Sequence, residues 1–472
     1  MTPRPLPPGP LVAFYGDDLT GSSAAMEVLA FAGLDTVLFL APPTPERLAA
    51  FAGHRAVGIA GMARSQGPAW MDAHLPPVFR LLAGLGAPVA HYKVCSTFDS
   101  APHVGSIGRA AEIGAEVFSG SAGGSWIPML VADPGMGRYQ SFGHLFAMAG
   151  PDGYRLDRHP TMARHPVTPM DEADLGRHLA RQTALPVGLV DFVAMKRGEG
   201  SARLARARAA GARIVSLDVL DHETLVEAGR LIWEEGGSPT FTLGSQGVGA
   251  ALVAWWRQAG LLPAAPAIPT PPPVDRIAAV SGSVSPVTAG QIAHAVAHGF
   301  EGLRLDPSLA VDPAAWEREI GRAGDAALAA LGRGRDPLVY SAAGPDDPAV
   351  AALRDATRAA GASEAVVNDR LGAGLGTILD RVVRDGRLTR AVISGGDTSG
   401  RAAAQLGIDA LAALAPMAPG SPLCRAYTAD GGAGLEIALK GGQVGGPDFF
   451  AAVKRGAPTP KMPTPTMPTK AG

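Results

Sequence analysis

Cysteine is nearly absent from this chain of 472 residues: Cys95 and Cys424 are its only two. Two thiols cannot form a disulfide framework, and a reducing cytoplasm is the expected compartment. Charge is sparse as well. Asp, Glu, Lys and Arg make up 18% of the residues, against roughly 25% in an average domain. The formal net charge is −2, so the chain lacks the broad basic field that holds a nucleic-acid backbone. A local basic pocket for an anionic metabolite remains compatible with that balance. No uninterrupted apolar run reaches the length of about 18 residues that a spanning helix needs, so no membrane partner is expected. The Pro-rich lead lacks the apolar h-region of a signal peptide. There is no H-E-x-x-H, Cys/His cluster or EF-hand loop, so no protein-held metal is expected. Neither a Walker A loop nor a G-x-G-x-x-G after the first strand is present, which counts against a P-loop or a dinucleotide site.

What is there in abundance is small and apolar. Hydrophobic residues are 47% of the chain, with 61 glycines and 42 prolines. That apolar content is too high for a disordered chain and suits a loop-rich globular enzyme. Its length allows two or three domains. Residues 11–15 form a short apolar run that stops at Gly16-Asp17-Asp18. A helical pattern with Met26, Leu29 and Ala30 on one face follows, and then a second strand at 35–40. This is a βαβ opening, which predicts an α/β fold with a mainly parallel sheet. Further strands are expected at 56–60, 88–93, 129–132, 187–190 and 213–217. Residues 261–274, LLPAAPAIPTPPPV, contain too many prolines for a helix or a central strand and read as an extended linker. The α/β rhythm then restarts, with strands at 276–280, 337–341 and 390–394 and a helix at 288–298. The expected architecture is two α/β domains, 11–260 and 275–455, with a ligand cleft between them. The Pro/Thr/Lys-rich tail, 456–472, is expected to be disordered. No feature specifies an oligomeric state, and a homo-oligomer is compatible with the composition.

Two groups of residues are suited to chemistry. In the first half, GDDLTGSS (16–23) falls where a strand turns into a helix, at the carboxyl end where open α/β sheets bind ligands. Adjacent carboxylates at Asp17 and Asp18 need a cation, hydrogen-bond donors or sugar hydroxyls beside them; simple helix capping by Asp18 is the plainer alternative. Lys93, followed by Ser96 and Thr97, suits a carboxylate or phosphate. Arg64 and Arg138 are each able to clamp a carboxylate at two points. In the second half, three Gly-rich stretches stand out. They are Ser281-Gly282-Ser283, Ser394-Gly395-Gly396-Asp397-Thr398-Ser399-Gly400, and Lys440-Gly441-Gly442 with Gly445-Gly446. Glycines let backbone approach phosphate, and helix N-termini favour its charge, so together the three predict a nucleotide site.

Taken in order, GDDLTG, the Lys-x-x-Ser-Thr segment at 93, GGDTSG at 395 and the late KGGxxGG resemble the four-carbon acid sugar kinase family over roughly residues 11–453. VTPMDEADL (167–175) and GGPDFF (445–450) are further family landmarks. The resemblance implies a division of labour. The N-terminal domain would hold a short sugar acid near Asp17, Asp18, Arg64, Lys93, Ser96 and Thr97. The C-terminal domain would hold ATP through Ser281, Gly395, Gly396, Asp397, Thr398, Gly441, Gly442 and Gly445, with Mg²⁺ on the phosphates. Asp397 is the expected base, with Asp17 or Asp18 as rivals.

One departure bears on substrate. Many family members read Lys-x-Asp-Ser-Thr-Leu-Arg-Gly at the second site; this chain reads Lys93-Val94-Cys95-Ser96-Thr97-Phe98-Asp99-Ser100. An acid becomes Cys95 and an arginine becomes Asp99. The variant resembles the branch assigned to 3-oxo-isoapionate, which implies a 4-phosphate product. D-threonate, D-erythronate and 3-oxo-tetronate are the alternatives. From a different class, so is a non-catalytic acidic-sugar-binding protein.

Overall fold

Short buried runs alternating with helices build a sheet whose strands end in one row. The computed structural model describes residues 2–119 and 126–457, with backbone alone at Asp397 and Ala433. It divides into two compact units, Met1–Ala267 with Asp409–Ala413, and Ile268–Ile408 with Leu414–Gly472. The division thus falls inside the Pro-rich stretch read as a linker, and one short segment from late in the chain packs with the first unit.

In the first unit the sheet runs in the order Asp409–Ala413, Thr36–Phe39, Ala56–Ala60, Val12–Gly16, Val89–Lys93, Thr240–Gly244, Ile127–Leu130, Ile214–Leu217, Val187–Val190. Only the first of these is antiparallel to its neighbour, with Ala410 opposite Phe39. The other pairings are parallel. Register decides which loops become neighbours. Gly16 lies opposite both Ala60 and Lys93, Lys93 opposite Gly244, and Gly244 opposite Leu130. The loops after Ala60 and Lys93 therefore leave the sheet beside the Asp17 loop, with those after Gly244 and Leu130 one and two strands further on. A small antiparallel sheet, Arg138–Ser141, His144–Ala149 and Asp152–Arg155, follows Ile127–Leu130. The strand Thr240–Gly244 and this small sheet are absent from the reading of the sequence.

Aromatic residues are few, and several gather in one place. Phe79, on the helix Pro68–Gly84, packs against Tyr15, Tyr92, Phe118 and Phe241 at centroid distances of 5.4–6.4 Å. Fully burying such a side chain contributes about 1.5–3 kcal/mol. This cluster fixes the strands Val12–Gly16 and Val89–Lys93, and hence the loops beyond them.

In the second unit the order is Phe300–Arg304, Asp336–Tyr340, Ala278–Ser281, Arg390–Ser394, Ala433–Lys440, Ser421–Thr428, and the remainder of Ile408–Ala418. The first five strands are parallel. Ser421–Thr428 turns antiparallel against Ala433–Lys440. Here too the ends align: Ser281 lies opposite Tyr340 and Ser394, and Ser394 opposite Lys440. The sequence reading opens a helix at Ala402, whereas the helix runs Gly396–Gln405 and starts directly at the Gly-rich turn. Among the described residues no helix is long and apolar enough to cross a membrane.

Candidate active site

The loops at the end of the first sheet bring the acidic and basic residues of that half together. Asp17 is held from both sides by backbone: its N–H donates to the Lys93 carbonyl (2.9 Å) and its carbonyl accepts from the Arg64 N–H (3.0 Å). Asp18 is the N-cap of the helix Leu19–Phe31, accepting from the Gly21 N–H at 2.7 Å. Capping and site chemistry are not exclusive here, because the same carboxylate also meets Arg64. That guanidinium donates to Asp17 Oδ1 at 2.6 Å and Oδ2 at 3.2 Å, and to Asp18 at 2.9 Å twice. Four of the five N–H groups of an arginine are thereby engaged, leaving one to receive anything else.

Asp17 is buried and Arg64 is 24% exposed. Burial pushes the Asp17 carboxyl upward, with Asp18 adding to it, against the pull of Arg64 and Lys93. For Arg64, burial works against the charge, but the two carboxylates more than offset it and hold the guanidinium charged. Lys93 is also buried, and its ammonium donates to the Val94 carbonyl at 2.7 Å. Burial lowers its pKa while Asp17 and Asp18 resist. A Cβ on Gly21 would lie 2.4 Å from Asp18 Oδ1 and 2.7 Å from Lys93 Nζ. The helix start thus closes directly over the charged cluster.

A second chain of contacts runs beside it. Thr97 Oγ1 donates to Asp99 Oδ1 at 2.6 Å and lies 3.0 Å from Cys95 Sγ. A threonine hydroxyl has one hydrogen, so the thiol is the donor in the other contact. Burial first, then Asp99, pushes the Cys95 thiol up, which keeps it protonated. Phe98, at φ +59°, turns this loop and is itself fully buried.

Arg138 is placed by two backbone hydrogen bonds with Asp133, each of 3.0 Å. Its Nη1 reaches only the carbonyls of Met136 and Gly137, at 3.2 Å each, and its buried Nε has no partner. Burial lowers its pKa, while the nearby Asp99 and Asp133 carboxylates raise it. It forms no ion pair among the described residues. Asp133 instead accepts from Gln246 Nε2 at 2.9 Å, and Gln246 comes from the strand-end loop that the sequence reading missed. Of the predicted residues of this half, Asp17, Asp18, Arg64 and Lys93 come together, with Thr97 in the adjoining loop. Among the described residues Ser96 makes no hydrogen bond that enters the cluster.

In the second unit the three Gly-rich stretches converge. Gly395 has φ +127°, and a Cβ there would crowd Thr398 Oγ1 at 3.0 Å and the Ser283 nitrogen at 3.4 Å. A Cβ on Gly282 would lie 2.3 Å from Thr398 Oγ1, and one on Gly442 2.7 Å from Ser283 Oγ. The Gly282 N–H donates to the Ser394 carbonyl (3.0 Å), and the Gly395 N–H to the Lys440 carbonyl (2.9 Å). Ser281, Gly282, Ser283, Gly395, Thr398 and Gly442 therefore form one tightly packed floor. Gly445, at φ +89°, turns the late loop, whose carbonyls at Val444, Gly445 and Gly446 accept from Gln291 Nε2. The side chain of Asp397 lies outside the described residues. The sequence reading passed over Thr288, Gln291 and the side chain of Lys440. Lys440 stands next to Gly441, so a lysine heading a Gly-rich run was the available signal.

Two family models match, described as a sugar-binding N-terminal domain over residues 12–252 and a nucleotide-binding C-terminal domain over 278–450. A 3-oxo-isoapionate kinase of Paraburkholderia graminis is 51% identical over 95% of both chains. The chain belongs to the four-carbon acid sugar kinase family. Another family relative, a 3-oxo-tetronate kinase of Cupriavidus necator, is 32% identical over 95% of this chain and 98% of its own. The kinase fold is matched by a solved protein of Salmonella typhimurium at TM-score 0.75 and 24% identity, covering 94% of this chain and 98% of that one. A Haemophilus influenzae protein matches at TM-score 0.69 and 23% identity over 94% and 99%. As a sugar acid kinase of this family the chain is an enzyme, and a transferase.

Proposed function

We propose that this chain transfers the γ-phosphoryl group of ATP to a hydroxyl of 3-oxo-isoapionate, giving ADP and the 4-phosphate. The single observation that carries the substrate is the 51% identity over 95% of both chains with a 3-oxo-isoapionate kinase. Identity with the 3-oxo-tetronate kinase is only 32%. A four-carbon 3-oxo acid is the second reading. The acid is assigned to residues 11–260 and the nucleotide to residues 275–455, in a cytoplasmic enzyme.

The acid end of the substrate is assigned to Arg138. Arg64 is already committed to Asp17 and Asp18, whereas the Arg138 Nε has no partner. Arginine recognises a carboxylate with two parallel N–H bonds. The hydroxyls are assigned to Asp17, Asp18 and Thr97, with Lys93 offsetting the acidic charge.

The nucleotide fits the floor formed by Gly282, Gly395 and Gly442. At all three a Cβ would occupy space already taken or bar close approach. Such glycine floors let phosphate approach the backbone closely, and the helix Gly396–Gln405 adds the positive end of its dipole. Among the described residues no group of three or more His, Cys, Asp or Glu is arranged to hold a metal, so Mg²⁺ is assigned to the phosphates themselves. When bound, it neutralises charge on the transferred group. The accepting hydroxyl must lose a proton, and that role is assigned to Asp397, in the first turn after the Gly-rich loop.

The test is an ADP-release assay with ATP and Mg²⁺ against 3-oxo-isoapionate, 3-oxo-tetronate, D-threonate and D-erythronate. Highest kcat/KM for the first is expected. Preference for a straight-chain acid would replace the substrate while keeping the reaction. Failure to turn over any of the four would remove the acceptor assignment.

A further inference from the structure

A buried charge in the second unit has no counter-charge among the described residues. Lys440 ends the strand Ala433–Lys440 and is only 1% exposed. Its ammonium donates to Thr288 Oγ1 at 3.1 Å and to Ser394 Oγ at 3.0 Å. The Thr288 hydroxyl passes its own proton to the Gly442 carbonyl at 2.9 Å, so it can only accept from the lysine. The ring of Phe449 lies 5.9 Å away. Among the described residues Lys440 forms no ion pair.

The described charged side chains on the elements packed around it are turned elsewhere. Arg390 and Glu436 pair with each other, as do Asp448 and Arg455, and Lys454 pairs with Asp336. His294, on the helix that carries Thr288, stacks on His298. An ammonium taken out of water without a carboxylate is costly unless an anion comes to it. The residues around it are those of the glycine floor: Ser394 precedes Gly395, and the Gly442 carbonyl holds Thr288.

We propose that Lys440 is the positive charge this unit presents to the nucleotide polyphosphate, so that affinity rises with the number of phosphates. The inference rests on the nucleotide reading above and names the residue that selects the triphosphate. The hydroxyls of Ser394 and Thr288 hold the ammonium in place, and Thr288 ties it to the Gly441-Gly442 turn. Burial alone brings the Lys440 pKa down to about 8. The free site therefore carries the charge at pH 7 and loses it above about pH 8, while a bound polyphosphate would hold the proton on.

The experiment is calorimetric titration of the full chain with MgATP, ADP, AMP and adenosine, in wild type, Lys440→Met and Lys440→Arg. Lys440→Met removes a costly buried charge and keeps the side-chain length, so it is expected to fold. Its ATP affinity should fall at least tenfold, with adenosine affinity changed less than twofold and Lys440→Arg in between. Equal ATP affinity in Lys440→Met, or an equal loss for ATP and adenosine, overturns the inference while leaving the nucleotide reading intact. Wild-type enzyme that binds no ATP overturns both. If Lys440→Met does not fold, wild-type titrations from pH 7 to 9 decide. ATP affinity should fall by up to tenfold per unit above about pH 8 with adenosine unaffected, and a flat ATP profile overturns the inference.

Discussion

Arg64 grips Asp17 at two points, 2.6 and 3.2 Å, across a backbone hydrogen bond that already ties the two residues together. The pair belongs to a three-residue cluster with Asp18, and it closes the end of the first parallel sheet. With four of its donors engaged, the Arg64 guanidinium keeps one N–H for a ligand.

Breaking this cluster should therefore cost stability. Removing one partner of a buried pair typically costs about 3–5 kcal/mol, because the other charge is left uncompensated. Arg64→Met is expected to lose about 3 kcal/mol in urea unfolding. Arg64→Met with Asp17→Asn should be less destabilised than the sum of the single changes. Strict additivity would mean the two do not interact.

Arg138 has the opposite status, with an unpartnered Nε and only carbonyls as partners. Arg138→Met should raise KM for the sugar acid at least tenfold, with KM for ATP unchanged. An unchanged acid KM would return the carboxylate to another residue. Since no ion pair is broken, unfolding stability should change far less than in Arg64→Met.

Asp397→Asn removes a proton acceptor and keeps the shape. A positioned general base contributes about 10²–10⁴-fold, so kcat should fall by at least about 10²-fold while ATP binding, measured by calorimetry, is retained. Near-normal turnover would take Asp397 out of the role and leave Asp17 or Asp18 as the rival.

His91 gives the first unit a pH signature. It is buried between Thr242 Oγ1 (3.0 Å) and the Ser245 carbonyl (3.2 Å), and burial, then Lys93, lowers its pKa from 6.5 to about 3. Below pH 6.5 the unfolded chain takes up a proton that the folded chain refuses. Stability is therefore full above that pH and falls on acidification until about pH 3. The slope attributable to one such group is about 1.4 kcal/mol per pH unit. Urea midpoints from pH 7 down to 4 should show it, and His91→Gln should flatten it. Parallel profiles for the two proteins would count against the assignment.

Cys95 donates its proton into the Thr97–Asp99 chain, and burial holds the thiol up. Cys95→Ser should keep kcat within about twofold, and iodoacetamide should label the native thiol far more slowly than a free one, since the thiolate is the reactive form. Rapid labelling at neutral pH would contradict the protonated chain.

The parallel α/β class and the two-part organisation were legible in the amino-acid order, because short apolar runs, glycine turns and helical periods are local signals. Strands Ala56–Ala60, Val187–Val190 and Arg390–Ser394 were legible to the residue. So were the GDDLTG and GGDTSG stretches and the family they point to. Thr240–Gly244 was not legible: Thr-Phe-Thr-Leu-Gly is short and partly polar, and only its place between Val89–Lys93 and Ile127–Leu130 makes it a central strand. The late hairpin was hidden for a similar reason, since pairing of Ser421–Thr428 with Ala433–Lys440 depends on what the sheet offers it.

Contacts within the site are set in three dimensions. The sequence reading offered Arg64 and Arg138 as clamps and placed Arg64 at the sugar acid, but the fold pairs Arg64 with two carboxylates and leaves Arg138 with no ion pair among the described residues. Lys440 looks like any lysine before a glycine run until the sheet buries it beside Ser394 and Thr288. Residue type and spacing state which groups are available. Burial and long-range pairing set which charges are already satisfied, and a charge left unsatisfied is what a ligand can use.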